Sequence, residues 1–444
     1  MMKIRFVFKP FSLLWLLTIF FFFSSASYGA DSNQLLSDRY QLKKVFVFSR
    51  HSIRAPLTRY DDYKKNITPY TWQSWETAEG LLTPKGGELE KNVGQYARSL
   101  LNSYHFFNDK VCPNKNQILI YTNSLQRTID TGKYFLDGAF PSCDFQVAHQ
   151  AKIGEMDPLF NPTVPADKQD FILQNYEDLS KSVVSPEGLS GLDQKLESNY
   201  NLLENILNYK QGQFCLRDKK CHLTSFPYKL AFKKEDDNQL RVSGPSLIAT
   251  GAIDDFLLEY YNGYDLSNVA WGKIKTDEQW KSLIDIKNYH MNLQFGIPAI
   301  SKEAASPILN FIASYFDAQP LQTDLQRMAK QTLLTMLVGH DSNIVSLLSA
   351  LAIKDFKLEG QFEETPIAGA LIFQQWHDNK LNKDLMKIDY MYPSHHQIRS
   401  NMPFSENNNA LHHVNLTMKD CETDQLGYCS MEKFKAAILG TLNK

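Results

Sequence analysis

The sequence predicts an α/β fold, a mixed sheet flanked by helices, with a mainly α-helical inserted cap domain. Apolar runs at 45–48 and 333–338 predict buried strands, and each is followed by residues capable of chemistry. Between them, from 144 to 263, strand signals fade and apolar residues recur at helical spacing. We therefore expect a core made of 31–143 and 264–444, interrupted by a helical insertion at 144–263.

Size and composition favour a globular protein with a large core. The chain has 444 residues, of which 43% are hydrophobic and 22% charged, so wholesale disorder is excluded. The net charge is −2 and there is no basic block, so a nucleic-acid partner has no electrostatic support. Any phosphate group must be bound by a few local arginines.

The N-terminus has the pattern of a signal peptide. Positive residues at 3–9 precede an apolar run at 13–23, and small residues follow up to Ala30. We expect cleavage after a signal at 1–30, which gives a periplasmic or secreted protein with no membrane attachment. The alternative is an uncleaved anchor, because the uncharged stretch 10–30 is long enough to span a bilayer.

Six cysteines support export, since an even count in an exported chain indicates disulfides. Six cysteines allow 15 connectivities, and the sequence does not select among them. The short spacings make sequential pairing the simplest guess. A metal site is disfavoured because no Cys-x-x-Cys pair occurs. The guessed pairs are Cys112–Cys143, Cys215–Cys221 and Cys421–Cys429.

The residues after the first strand favour phosphoryl transfer. Arg50 and Arg54 offer guanidinium groups that pair with phosphate oxygens in a bidentate way and stay charged at any working pH. His51 lies between them in sequence, and a neutral imidazole can attack phosphorus. The neighbouring positive charges should lower its pKa and favour that neutral form. Pro56 ends the local regularity.

The next elements are predicted from caps and periodicity. Thr83 should cap a helix that opens with Pro84, after an irregular loop at 57–82. A second strand at 118–121 leads to a helix that Ser124 can cap, with Arg127 in its first turn. Such a strand–turn–helix junction binds anions, so Arg127 is a candidate third guanidinium.

The strand at 333–338 ends at the second chemical motif, His340-Asp341. Sites in open α/β sheets form at the carboxyl ends of strands, so this pair should meet Arg50 and His51 there. His340 could bind phosphate oxygens, and Asp341 could donate a proton to the leaving oxygen. Asn343 is a candidate contact to substrate or to backbone. Two later strands, joined through 378–380, predict a hairpin at a sheet edge.

Arg50-His51-x-x-Arg54-x-Pro56 together with Gly339-His340-Asp341 resembles the two signatures of the histidine acid phosphatases. The family has Gly after the histidine, whereas this chain has Ser52, which resembles the glucose-1-phosphatase branch. The resemblance implies a phosphoglycerate-mutase-like core and an insertion that caps the active site. It also implies that His51 and Asp341 are catalytic, and that the phosphate is bound by Arg50, Arg54, Arg127 and His340.

The resulting hypothesis is an exported acid phosphatase that hydrolyses phosphomonoesters such as glucose 1-phosphate, and inositol phosphates as further candidates, through a phosphohistidine. No cofactor or metal is required, because arginines supply the positive charge. The partner is a small-molecule substrate, and the oligomeric state stays open. The nearest alternative is a phytase, which typically has Thr where this chain has Ser342. The others are a phosphate-binding protein without catalysis and a phosphoglycerate-mutase-like enzyme.

Overall fold

The computed structural model describes residues 39–443 apart from 109–110, 185 and 234–237. The predicted signal peptide at 1–30 lies outside the described residues. Within the part described, no helix is long and apolar enough to cross a membrane.

A mixed eight-stranded sheet forms the centre of the described structure. Its order is β10-β8-β7-β1-β6-β2-β3, and β9 pairs with β8 beside β10. β1 runs parallel to β6, and β2 and β3 continue the parallel half, whereas β7 runs antiparallel to β1. A separate two-stranded sheet joins β4 and β5. The described strands are β1 Tyr40–Arg50, β2 Ile118–Thr122, β3 Val147–Ala148, β4 Lys229–Lys233, β5 Gln239–Ser243, β6 Leu334–Gly339, β7 Ala370–Asp378, β8 Lys383–Tyr392, β9 His412–Asn415 and β10 Tyr428–Ser430.

Helices cover both faces of the large sheet. Within the described ranges they are α1 Asp61–Ile67, α2 Pro84–Ser103, α3 Gln126–Ala139, α4 Ala166–Val184, α5 Leu192–Lys195, α6 Glu197–Leu207, α7 Gln213–Leu216, α8 Pro245–Asn262, α9 Asp277–Met291, α10 Pro298–Tyr315, α11 Asp324–Lys330, α12 Asp341–Ala350, α13 His395–Ser400 and α14 Met431–Leu442. The α/β class with a mixed sheet is therefore confirmed.

The period of two along β1 places its side chains in two separate cores. Val45 and Val47 belong to the larger hydrophobic cluster on one face, and Phe46 and Phe48 belong to the cluster on the other. Successive side chains of a strand point to opposite faces, so a run that is apolar at every position must be covered on both sides. The continuous apolar run at 45–48 thus reflects its position in the centre of the sheet.

Helices α2 and α3 pack closely because glycines line their contact. A Cβ atom at Gly138 would lie 2.0 Å from the Lys91 carbonyl oxygen, and one at Gly94 would lie 2.3 Å from that of Phe135. Thr83 caps α2 through a bond from the Gly86 amide, as its sequence predicts. The start of α2 thereby sits directly on the loop that follows β1.

The predictions for the segment 57–82 and for the position of the β7–β8 hairpin were wrong, and tertiary contacts explain both differences. The segment 57–82 contains the two-turn helix α1, which Lys64 anchors by an ion pair of 2.8 Å with Asp255 of α8. The β7–β8 hairpin forms as predicted, but it is not at the sheet edge. β9 and β10, which come from the last 35 residues, pair along β8 and cover it.

The region 144–263 contains α4 to α8 together with the β4–β5 hairpin. Helix α8 is buried along nearly its whole length and ends at Gly263, which has a left-handed backbone (φ 86°). Helix α9, which follows the predicted boundary, packs against α6 and α8. The helical layer therefore continues past 263, and the limits of a separate cap domain stay a prediction.

Three disulfides are present, each between consecutive cysteines. Cys112 is joined to Cys143, Cys215 to Cys221 and Cys421 to Cys429, over sequence separations of 31, 6 and 8 residues.

Candidate active site

The carboxyl ends of β1 and β6 bring the two sequence motifs together. Arg50 lies opposite Gly339 in the parallel ladder, and the His51 amide donates to the Gly339 carbonyl at 3.0 Å. A Cβ at Gly339 would lie 2.7 to 2.9 Å from three surrounding side chains, so only glycine fits there. Beyond these ends opens a cavity of about 380 Å³, whose lining includes His51, Arg54, Arg127, His340 and Asp341.

His51 presents an unprotonated Nε2. Its Nδ1 lies 2.8 Å from the Ser52 carbonyl oxygen, which can only accept, so Nδ1 carries the hydrogen. The ring is buried, and burial followed by the charge of Arg127 lowers the pKa of His51 well below its usual range. A neutral imidazole with a lone pair on Nε2 is a competent nucleophile.

His340 is held in the opposite tautomer by Asn123. The Asn123 Oδ1 accepts from the amides of Ser124 and Asp157, at 2.8 and 2.9 Å, which fixes the orientation of the side-chain amide. Its Nδ2 therefore donates to His340 Nε2 at 2.7 Å, so the ring hydrogen is on Nδ1. Burial and then Arg127 lower the pKa of His340. The two imidazole rings meet edge to face, with centroids 5.5 Å apart.

The Arg50 guanidinium is buried, and both of its terminal nitrogens have partners. Its Nη1 donates to the Thr365 carbonyl at 2.5 Å and to Glu363 Oε1 at 3.2 Å, and its Nη2 lies 3.1 Å from Asp341 Oδ2. Among the described residues, its Nε has no hydrogen-bond partner. That N–H is buried in the ligand-free protein.

Arg54 and Arg127 complete the cationic lining of the cavity. Arg54 Nη2 donates to Asp254 Oδ2 at 2.8 Å, and its Nη1 donates to the Ala55 carbonyl at 3.1 Å. Arg127 is in the first turn of α3, as predicted, and its charge acts on both histidines. The predicted phosphate-binding residues thus gather in one place.

Asp341 is the first residue of α12 and keeps 25% of its side chain exposed, facing the cavity. Its Oδ1 accepts from the Ser342 amide at 2.9 Å. Burial raises the pKa of this carboxyl, but the charges of Arg50 and Lys287 outweigh it, and the pKa falls to about 2. In the ligand-free protein Asp341 is therefore a carboxylate.

The contacts of Asn343 and Ser124 bear on two further predictions. Asn343 accepts from the His340 amide and donates to the Phe160 carbonyl, at 3.0 and 2.8 Å, which favours the backbone alternative over a substrate contact. Ser124 does not cap α3, because the N-cap position is Leu125 and no side chain caps it. Asn123 instead satisfies the Ser124 amide.

Sequence reasoning missed Asn123, Asp254 and Glu363, which contact the motif residues, and Lys287, which joins Asp254 to Glu363. The signal available was a pair of adjacent aspartates in the predominantly apolar helix α8. In the described residues no group of three or more His, Cys, Asp or Glu side chains could hold a metal ion.

Comparison with known families gives a consistent result. Residues 41–392 match the histidine phosphatase superfamily (branch 2). The chain is 37% identical to a glucose-1-phosphatase of Salmonella typhimurium over 91% of this chain and 94% of the relative. It is 39% identical to a glucose-1-phosphatase of Providencia rettgeri over 91% and 92%. The structure superimposes on a Hafnia alvei phytase in complex with tartrate with a TM-score of 0.82, at 26% identity, covering 91% of this chain and 97% of that one.

Proposed function

The chain belongs to the histidine phosphatase superfamily (branch 2) and is a phosphomonoesterase, and we propose that it hydrolyses sugar phosphates such as glucose 1-phosphate through a phosphohistidine. One observation carries the proposal: His51 and Asp341 line a single cavity together with Arg54, Arg127 and His340. Two relatives named glucose-1-phosphatase support the sugar phosphate as substrate.

In the first step, Nε2 of His51 attacks phosphorus, and the bond from phosphorus to the sugar oxygen breaks. Asp341, protonated in the complex, gives its proton to the leaving oxygen. The three arginines and the Nδ1–H of His340 hold the non-bridging oxygens. In the second step, water attacks the phosphohistidine, Asp341 takes up the water proton, and inorganic phosphate leaves with His51 restored.

Export is part of the proposal. The three disulfides are typical of oxidising compartments, and the sequence pattern at 1–30 is that of a signal peptide. The segment 144–263 would act as the cap, because Gln239, Arg241 and Thr250 from this segment contribute to the cavity wall.

A phytase activity is the second candidate, favoured by the structural similarity to the Hafnia alvei phytase. A substrate panel between mildly acid and neutral pH decides between the two. We expect kcat/KM for glucose 1-phosphate to exceed that for inositol hexakisphosphate. The reverse order would favour the phytase.

The nucleophile is tested by His51→Ala, which should lower turnover of glucose 1-phosphate on the order of 10³-fold or more. Near-normal turnover would refute the assignment. Asp341→Asn should cost much more on glucose 1-phosphate than on p-nitrophenyl phosphate, whose leaving group needs little protonation. Equal losses on both substrates would mean that Asp341 is not the acid.

A further inference from the structure

Along the wall of the cavity, to which Arg54, Asp254 and Lys287 belong, charged side chains form a row in which positive and negative groups alternate. Arg54 Nη2 lies 2.8 Å from Asp254 Oδ2, and the other oxygen of Asp254 lies 3.0 Å from Lys287 Nζ. Lys287 Nζ also lies 2.7 Å from Glu363 Oε1, and the same oxygen lies 3.2 Å from Arg50 Nη1. Lys287 thus joins the two carboxylates that hold the two arginines.

These groups come from separate elements and are almost completely shielded from solvent. Asp254 belongs to α8, Lys287 to α9 and Glu363 to the loop between α12 and β7. The side chain of Lys287 is 6% exposed and that of Glu363 is 2% exposed. A buried ion is tolerated only when it is paired, and each of these has at least two partners of opposite charge. Tyr261 adds a hydroxyl bond of 3.1 Å to Glu363 Oε2.

We propose that Lys287 is a positioning residue for phosphoryl transfer: by bridging Asp254 and Glu363, it sets the separation of Arg54 and Arg50 and therefore the place of the phosphate. The inference rests on the proposed function. Each arginine donates one or more N–H groups to its carboxylate partner. This contact fixes the plane of the guanidinium group, and the anion must bind in that plane. Positioning of this kind matters because a displacement near 1 Å can cost about 100-fold in rate.

Lys287 also affects the pKa of Asp341, the proposed general acid. The charged groups that affect Asp341 are Arg50 from β1, Lys287 from α9 and Asp254 from α8, beside the neutral His340 on its own segment. The two cations stabilise the carboxylate, whereas Asp254 destabilises it. Removing Lys287 should therefore raise the pKa of Asp341, and removing Asp254 should lower it.

The test compares Lys287→Met with Asp254→Asn in the full-length enzyme. Lys281→Met is the matched control, because Lys281 is also in α9 but is exposed and pairs with Asp285. The readouts are kcat and KM for glucose 1-phosphate across pH, with circular dichroism to check folding. We expect kcat/KM to fall about 10- to 100-fold in both test variants and to be unchanged in the control.

The pH profile of kcat distinguishes a positioning role from a general effect on stability. The quantity compared is the pH at which kcat falls on the basic side of the profile, its basic limb. Protonated Asp341 is the acid, so this limb should move on the order of one pH unit upward in Lys287→Met and downward in Asp254→Asn. The double variant, which removes one charge of each sign, should bring the limb back close to the parent. Limbs that do not move, or that move in the same direction, would overturn the proposal.

If Lys287→Met and Asp254→Asn do not fold, the variant Lys287→Arg tests the proposal instead. This variant keeps the positive charge, so the basic limb of kcat should stay in place. A guanidinium group cannot reproduce the two contacts that one ammonium nitrogen makes, so kcat/KM should fall at least about 10-fold. An unchanged kcat/KM would overturn the inference. A parent enzyme that does not turn over glucose 1-phosphate would instead refute the proposed function, so the two failures are distinguishable.

Discussion

Binding of a dianion should change the ionisation of Asp341, and this change can be measured. In the ligand-free protein the charges of Arg50 and Lys287 outweigh burial and hold the pKa of Asp341 at about 2. At mildly acid pH the ligand-free enzyme therefore lacks the proton that the acid must donate. The reaction at mildly acid pH therefore requires the bound phosphate to raise this pKa.

The size of the rise follows from Coulomb's law. One negative charge about 4 Å from the carboxylate, at an effective dielectric constant of about 20, costs about 4 kcal/mol. That energy corresponds to a factor of about 10³ in the protonation equilibrium, so the bound anion should raise the pKa of Asp341 enough for protonation at mildly acid pH. The sign is fixed, since an added anion disfavours the carboxylate and protonation follows binding.

Titration calorimetry with sulfate at pH 4 tests this rise in pKa. Sulfate is a dianion at that pH and stands in for the phosphate group. Experiments in two buffers of different ionisation enthalpy give the number of protons taken up on binding. The parent enzyme should take up about one proton more than Asp341→Asn. Equal uptake in the two proteins would refute the reasoning, because another group would then be the one that titrates.

Three further predictions concern positions outside the reacting pair. Asn123→Ala should lower kcat/KM about 10- to 100-fold, because His340 loses the bond that fixes its tautomer; inhibition by phosphate should weaken in parallel, and unchanged inhibition would contradict this. Burial raises the pKa of Glu90 from 4.5 to about 8, so the folded state retains a proton that the unfolded state loses. The free energy of unfolding should therefore fall between these pH values by up to about 1.4 kcal/mol per pH unit, and Glu90→Gln should flatten that slope in urea titrations. Gly138→Ala should destabilise by about 3 kcal/mol or more in thermal unfolding, whereas Gly440→Ala, whose Cβ meets nothing within 4 Å, should stabilise slightly; similar effects of both would contradict the packing argument.

The motif residues were predictable because local sequence determines their setting. Arg50 and His51 follow an apolar run, and His340 and Asp341 follow another, so both pairs had to lie at strand ends. Parallel neighbours end at the same edge, which brings the pairs together without any knowledge of the rest of the chain.

The supporting residues were not predictable, because their roles depend on distant contacts. Lys287 meets Asp254 and Glu363 across 33 and 76 residues, and each lies in a segment whose local pattern indicates an ordinary helix or loop. Helix α1 was not predicted for the same reason, since its ion pair with α8 spans 191 residues. Single-sequence patterns report periodicity and caps, but they do not report which charged side chains meet in a desolvated layer.

The three disulfides have a consequence for oxidation of the nascent chain. Every bond joins a cysteine to the next one along the sequence, so no native pair encloses another. A thiol oxidase that couples cysteines in their order of emergence would form the native set directly, with no mixed species left to reshuffle. Maturation should then proceed equally well in cells that lack a disulfide isomerase.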